Sequence, residues 1–258
     1  MGAEGSRRGR PQAHDRLLPQ SPLNSPLVSV VLPCHNEAGN IARYGADLFP
    51  ALDGLGVPYE VILVDDGSTD GTAAAAASLL ITRRDVKILS LSPNRGMGGA
   101  LRAGFAEAQG EWVATLDADL TFPPAGLKRL LEAGVASKAD LVSGSPYLRP
   151  GDLQEVAWLR RLPSLMVNAF YRGVFGRALT AYTPVMRLYR ATFLRGLDIR
   201  STGFEINAEI AARAMIARRP VVEVPVPLRA RTAGVSKLDR GRELRRHLGL
   251  VASLLVRR

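Results

Sequence analysis

Short apolar runs alternate with longer amphipathic stretches through the first half of the chain. Leu27–Pro33 (LVSVVLP), Glu60–Asp65 (EVILVD), Val86–Leu91, Trp112–Leu116 and Asp140–Gly144 read as buried strands. Between them, Glu37–Leu52, Thr69–Thr82, Met97–Gln109 and Pro124–Ala136 have helical potential, strongest in the Ala73–Ala77 run. Apolar strands alternating with helices predict an α/β fold: a mostly parallel central sheet covered by helices on both faces.

Beyond residue 150 the alternation lapses. Leu153–Leu179 holds Trp158, Leu162, Leu165, Met166, Phe170 and Phe175 at helical spacing, with Arg160, Arg161, Arg172 and Arg177 interspersed. The segment reads as a helix pair packed on the core, or as a wall for a lipid-like acceptor. Phe204–Ala217 predicts another helix, and Val221–Val226 a strand that Pro225 and Pro227 place at a sheet edge. In Glu243–Val256 the stripe Leu244, Leu248, Val251 and Leu255 stands away from Arg245, Arg246 and Ser253. Such a helix docks on the domain or lies in a membrane interface, and both remain open.

Composition narrows the class. The chain has 258 residues, 47% hydrophobic and 22% charged, enough for one large domain. Residues 1–26, rich in Gly, Pro, Ser and Gln, read as a flexible arm; 27–238 form the globule; 239–258 form a basic amphipathic C-terminal helix. Cys34 is the single cysteine, so no disulfide forms within the chain, which favours a reduced, cytoplasmic setting. No apolar run reaches membrane-spanning length, and the N-terminus lacks a signal-peptide core. The net charge of +10 sits mainly in residues 229–258, where nine Lys/Arg face Asp239 and Glu243. A near-neutral body with 6% aromatics argues against a nucleic-acid binder. The basic tail suits an anionic membrane surface or a phosphate-bearing ligand.

In parallel sheets, ligands collect at the carboxyl ends of the strands. Strand one exits into Pro33-Cys34-His35-Asn36-Glu37, strand two into Asp65-Asp66-Gly67-Ser68, strand four into Asp117-Ala118-Asp119 and strand five into Ser143-Gly144-Ser145-Pro146-Tyr147. A single acid there caps the next helix. Glu37, Asp65, Asp66, Asp117 and Asp119 on one edge instead suggest a site that cations balance. Two carboxylates in D-x-D present hard oxygen ligands to Mg²⁺ or Mn²⁺, which commonly bridge to substrate phosphates.

The ordered set V-S-V-V-L-P-C-H-N-E, V-I-L-V-D-D-G-S-T-D-G-T, N-R-G-M-G-G-A-L-R-A-G, L-D-A-D-L, V-S-G-S-P-Y, V-V-E-V-P and R-T-A-G-V-S-K-L resembles the family 2 glycosyltransferases, most closely the dolichol- and polyprenyl-phosphate mannose synthases. The resemblance runs from about Leu27 to Leu238. It implies a GT-A fold, a single Rossmann-like domain over 27–238. It also implies transfer of a hexose, mannose first, from GDP-mannose to a polyprenyl phosphate, at the cytoplasmic face of a membrane to which the protein attaches peripherally. By position, Pro33, His35, Glu37, Val64 and Asp66 would line the nucleoside site. Asp117, Ala118 and Asp119 would meet the diphosphate and its Mg²⁺ or Mn²⁺, and Arg231 and Lys237 would clamp phosphate groups.

The chain departs from the family pattern at several points. His35 stands where the family more often has Tyr, Pro146 where V-S-G-S is usually followed by Arg, and Thr121 where D-A-D-L is usually followed by Gln. Ala181-Tyr-Thr-Pro-Val-Met replaces the usual D-x-x-S-G-F. A UDP-sugar donor, a non-lipid acceptor or a non-catalytic relative therefore stand as alternatives. Gly96-Met-Gly-Gly-Ala mimics a dinucleotide fingerprint but has Leu101 where the third glycine belongs. His14, His35 and His247 are too scattered for zinc, and Ser68 and Ser236 lack a nucleophile-elbow context. Glu205 and Glu209, one turn apart, read equally well as a solvated helix face.

Overall fold

The computed structural model describes residues 26–153, 158–229 and 240–256. One sheet is built from β1 (Val28–Cys34), β2 (Tyr59–Asp66), β3 (Val86–Leu91), β4 (Trp112–Thr115), β5 (Leu141–Ser145), β6 (Arg187–Arg190) and β7 (Val221–Pro225). Their spatial order is β3-β2-β1-β4-β6-β5-β7. Only β6 among these opposes its neighbours, pairing antiparallel with β4 and β5. The other strands thus deliver their carboxyl ends to one edge, and β7 is an edge strand as its prolines predict.

The helices are α1 (Ala38–Ile41), α2 (Tyr44–Asp47), α3 (Phe49–Asp53), α4 (Thr72–Thr82), α5 (Gly96–Glu107), α6 (Gly126–Ser137), α7 (Trp158–Phe175), α8 (Ala191–Arg195), α9 (Ile206–Ile216) and α10 (Arg240–Val256). Period-two alternation on β1 assigns them to layers. Val28, Val30 and Leu32 pack with Ile41, Tyr44, Ala76, Leu127 and Leu130 on one face. Val31, Ile62 and Val64 pack on the other with Leu101, Phe105, Tyr171, Ile210 and Val251. Helix α5 lies directly on the sheet, since a Cβ on Gly104 would overlap Val31 Cγ1.

Three expectations need correction here, and one strand was not foreseen. The helix read over 37–52 is three short pieces, with breaks at Ala42–Arg43 and at Leu48. In place of the helix pair read over 153–179, the described residues form one helix, α7, which continues through Pro163. Strand β6 was unforeseen, because Arg187 and Arg190 bracket a run of only four residues. On α10 the docking face is turned: His247, Leu250, Val251 and Leu254 are buried, while Leu244, Leu248 and Leu255 are exposed.

Candidate active site

The first two strand exits clasp each other. Asn36 adopts φ 56°, a left-handed conformation that asparagine tolerates. Its N–H donates to the Ser68 hydroxyl (2.9 Å), and its side-chain oxygen accepts the Thr69 N–H (2.7 Å). His35 Nδ1 lies 2.9 Å from the Asp66 carbonyl oxygen and 3.2 Å from Asn94 Nδ2. Asn94 Nδ2 donates to the same carbonyl at 2.8 Å.

The acids of these loops are held by local donors. Asp65 Oδ1 accepts the Ser68 N–H at 3.0 Å, and Asp66 Oδ1 accepts the Arg95 N–H at 2.7 Å. Glu37 Oε2 accepts from the Asn40 amide at 2.6 Å. Among the described residues, no three His, Cys, Asp or Glu side chains gather closely enough to hold a metal. The five acids share an edge without forming one cage.

The D-x-D pair follows β4. The Leu116 N–H still bonds to the Val31 carbonyl (3.2 Å), and the half-buried Asp117 and Asp119 then flank buried Ala118. The Ala118 carbonyl accepts the Tyr44 hydroxyl at 2.9 Å. Tyr44 is wholly buried, and that burial pushes its pKa well above the ordinary tyrosine value, so it keeps the proton it donates. Thr121 serves both acids: its N–H reaches Asp119 Oδ1 at 3.2 Å, and its hydroxyl Asp117 Oδ2 at 3.4 Å. The Thr121 carbonyl accepts the Arg229 N–H at 2.9 Å. The chain leaving β7 is thereby tied to the D-x-D loop.

The strand-five exit carries a second polar chain. Ser145 Oγ lies 2.6 Å from Thr180 Oγ1, and Glu223 of β7 accepts the N–H groups of Thr180 (2.6 Å) and Ala181 (3.1 Å). The Tyr147 hydroxyl meets Ser164 Oγ of α7 at 3.0 Å, and Asn168 Nδ2 donates to the same oxygen at 3.3 Å. Asn168 Oδ1 in turn accepts the Tyr182 N–H at 2.7 Å. Helix α7 is thus fastened to this edge by side chains.

Among the expected site residues, Pro33, His35, Glu37 and Asp66 lie at the β1 and β2 exits, and Asp117, Ala118 and Asp119 at the β4 exit. Val64 is fully buried among the residues that pack under α5. Arg231 and Lys237 lie outside the described residues. Pro146 is buried. Glu205 and Glu209 are not on a solvated face: they are 5% and 1% exposed, and Glu209 caps the Arg200 and Ser201 N–H groups while pairing with Arg213. Sequence reasoning missed Tyr44, Asn94 and the Ser164–Asn168 pair. The contacts that give Tyr44 and Asn94 their roles lie 74 and 28 residues away along the chain.

The D-x-D donor set fits a hard divalent cation. Two carboxylates leave several coordination positions, which phosphate oxygens and water complete in sites of this kind. Asp117 and Asp119 would hold the ion, with Thr121 orienting both.

A mostly parallel α/β sheet with D-x-D at a strand exit is the arrangement of the GT-A fold. Residues 29–197 match Glycosyl transferase family 2, and the chain belongs to that family. The dolichol-phosphate mannosyltransferase of Pyrococcus furiosus is 32% identical over 213 residues, 82% of this chain and 59% of that protein. The polyprenol monophosphomannose synthase of Mycolicibacterium smegmatis is 31% identical over 88% of this chain and 86% of its own length. This chain therefore spans about three fifths of the length of the Pyrococcus protein. Glucosyl-3-phosphoglycerate synthase of Mycobacterium tuberculosis, solved with Mn²⁺, UDP and glucosyl-3-phosphoglycerate, superposes with TM-score 0.64 at 21% identity. That alignment covers 91% of this chain and 80% of the other.

Proposed function

We propose that this protein is an inverting glycosyltransferase that moves a hexose, mannose first, from a nucleoside diphosphate donor to a polyprenyl phosphate. The observation that carries the proposal is the β4 exit, where Asp117 and Asp119 share Thr121, and Thr121 tethers the chain that leads to Arg231 and Lys237. The mannosyl acceptors named in the two relatives support the lipid phosphate and the sugar.

A Mg²⁺ or Mn²⁺ ion on the carboxylate pair supplies charge stabilisation for the departing diphosphate. The protein's own residues do the rest. His35, Glu37 and Asp66 stand at the β1 and β2 exits to receive the nucleoside. Arg231 and Lys237 screen and orient the phosphates. A phosphate monoester is largely dianionic at neutral pH, with a second pKa of about 6, so the acceptor needs positioning rather than a general base. In-line attack by its oxygen forms the new bond to the anomeric carbon as the bond to the diphosphate breaks, inverting that centre.

The acceptor is a lipid, so the protein works at a membrane, on the cytoplasmic face where nucleotide sugars are supplied. No helix among the described residues is long and apolar enough to cross a bilayer. Attachment is peripheral, to an anionic surface, through basic α10 and the exposed apolar side chains of α7 and α10.

The test is a panel: radiolabelled GDP-mannose, UDP-glucose or UDP-GlcNAc, each with polyprenyl phosphate and Mg²⁺ or Mn²⁺, followed by lipid extraction. Mannose in the lipid phase is expected, and Asp119→Ala should reduce it about 100-fold or more. Full transfer by Asp119→Ala would remove the metal-site assignment. No label in lipid from any donor would remove the function.

A further inference from the structure

Arg229 lies beside the carboxylate pair in a position the chain holds firmly. The Val226 N–H bonds to the Ser145 carbonyl (3.1 Å), the Leu228 N–H to the Asp152 carbonyl (2.8 Å) and the Arg229 N–H to the Thr121 carbonyl (2.9 Å). Three successive anchors thus pin the segment between the β5 exit and the D-x-D loop. Leu228 packs onto the core, whereas Arg229 is exposed. No carboxylate among the described residues forms an ion pair with the Arg229 guanidinium. Several other arginines among the described residues are occupied: Arg83 pairs with Asp53 and Asp85, Arg213 with Glu209, and Arg187 holds the Asn207 and Tyr182 carbonyls.

We propose that Arg229 is a phosphate-binding residue of the transfer site, closing its forked guanidinium on a phosphate group of one of the two substrates. The inference rests on the glycosyl-transfer reading above. One residue, Thr121, separates the Arg229 main chain from both carboxylates, so Arg229 is tethered next to the pair that would hold the cation and draw a phosphate. The two acids make this edge electronegative, and a second cation-bearing arm keeps a substrate phosphate from being repelled. Guanidinium suits the task because its planar donors match two phosphate oxygens at once, which a lysine does not do. A rigid main chain lowers the ordering cost of that contact.

The experiment measures binding, apart from turnover. Purified full-length protein, wild type and Arg229→Gln, is titrated with GDP plus Mn²⁺ and, separately, with farnesyl phosphate, using farnesol as the uncharged control. Arg229→Gln is expected to weaken one of the two phosphate ligands about tenfold or more and to leave farnesol unchanged. Loss in the GDP arm assigns the contact to the donor, and loss in the farnesyl phosphate arm assigns it to the acceptor. Arg229→Lys should recover only part of the loss, and both variants should melt with the wild type, since the side chain is exposed. Equal affinities for wild type and Arg229→Gln in both arms would overturn the inference and leave the glycosyl-transfer reading standing. A wild type that binds neither GDP–Mn²⁺ nor farnesyl phosphate would overturn both.

Discussion

The Thr121 hydroxyl donates to Asp117 Oδ2 across 3.4 Å, while the Thr121 N–H reaches Asp119 Oδ1 at 3.2 Å. At those lengths both bonds are weak, and their effect is orientation more than strength. Thr121 is β-branched, with few χ1 rotamers, so the hydroxyl direction follows closely from the backbone. That backbone is fixed in turn by Arg229. The departure from the family's glutamine thus has a local role: a short side chain aims the first acid and leaves the second to a main-chain donor.

Replacing Thr121 with valine keeps the shape and the N–H and removes only the hydroxyl. Outer contacts of this kind tune metal affinity by about tenfold or more when well formed. For so long a bond, a rise of about threefold is expected in the Mn²⁺ needed to half-saturate GDP binding. Calorimetric titration at several Mn²⁺ concentrations gives the number. An unchanged Mn²⁺ requirement would show that the hydroxyl does not steer Asp117.

Tyr44→Phe acts on the same loop from below. It leaves the buried Ala118 carbonyl without its 2.9 Å donor. Leaving a buried acceptor unpaired costs about 1–3 kcal/mol. In a domain of this size that corresponds to a fall of about 4 °C in Tm. A melt indistinguishable from wild type would mean that the loop finds another donor.

The first half of the fold was legible because parallel strands covered on both faces leave uninterrupted apolar runs. The strand exits, and so the place of Asp117 and Asp119, followed from those runs. What stayed hidden depends on distant partners. Arg187 looks like a surface residue, yet it is fully buried in β6 with its guanidinium on the Asn207 and Tyr182 carbonyls. Pro163 signals a break, yet α7 runs through it. The leucine stripe of α10 suggested a docking face, but the helix docks through His247, which meets Tyr171 at 2.9 Å. Apolar periodicity could not choose between two adjacent faces that both carry leucines.

That His247 contact predicts a pH dependence. Burial lowers the imidazole pKa, with the Glu205 charge acting weakly the other way. The folded state therefore favours the neutral ring. Its contribution is present above the unfolded value of about 6.5 and is lost as pH falls through the lower folded value. Glu243 on the same helix has the opposite sign: burial raises its pKa, Arg246 opposes and Glu205 adds. The measurement is consequently a difference, wild type minus His247→Gln, in urea unfolding at about pH 7.5 and 5.5. Wild type should lead at the higher pH, and its lead should shrink at the lower. A constant difference would exclude His247 as the titrating group.

The exposed side chains of α7 and α10 make the membrane proposal testable without touching the site. Their inner faces share one core through Tyr171 and Val251, and their outer faces leave Leu162, Met166 and Phe170 on one helix and Leu244 and Leu248 on the other in solvent. Met166, 72% exposed, has little to contribute to folding. Arg242 and Arg245 accompany the leucines on α10. Each buried leucine side chain stabilises association by about 1.5–3 kcal/mol when fully withdrawn from water. Half-insertion of two should still change vesicle affinity about tenfold. Leu244→Ser/Leu248→Ser, and separately Met166→Ser/Phe170→Ser, should therefore weaken cosedimentation with anionic vesicles while leaving the melt near that of wild type. Raising the salt should weaken it further through the arginines. If only the α10 pair matters, the helix anchors alone. If both pairs matter, α7 lies against the same surface, and the polar chain from Ser164 to Tyr147 brings the β5 exit close to the lipid phosphates.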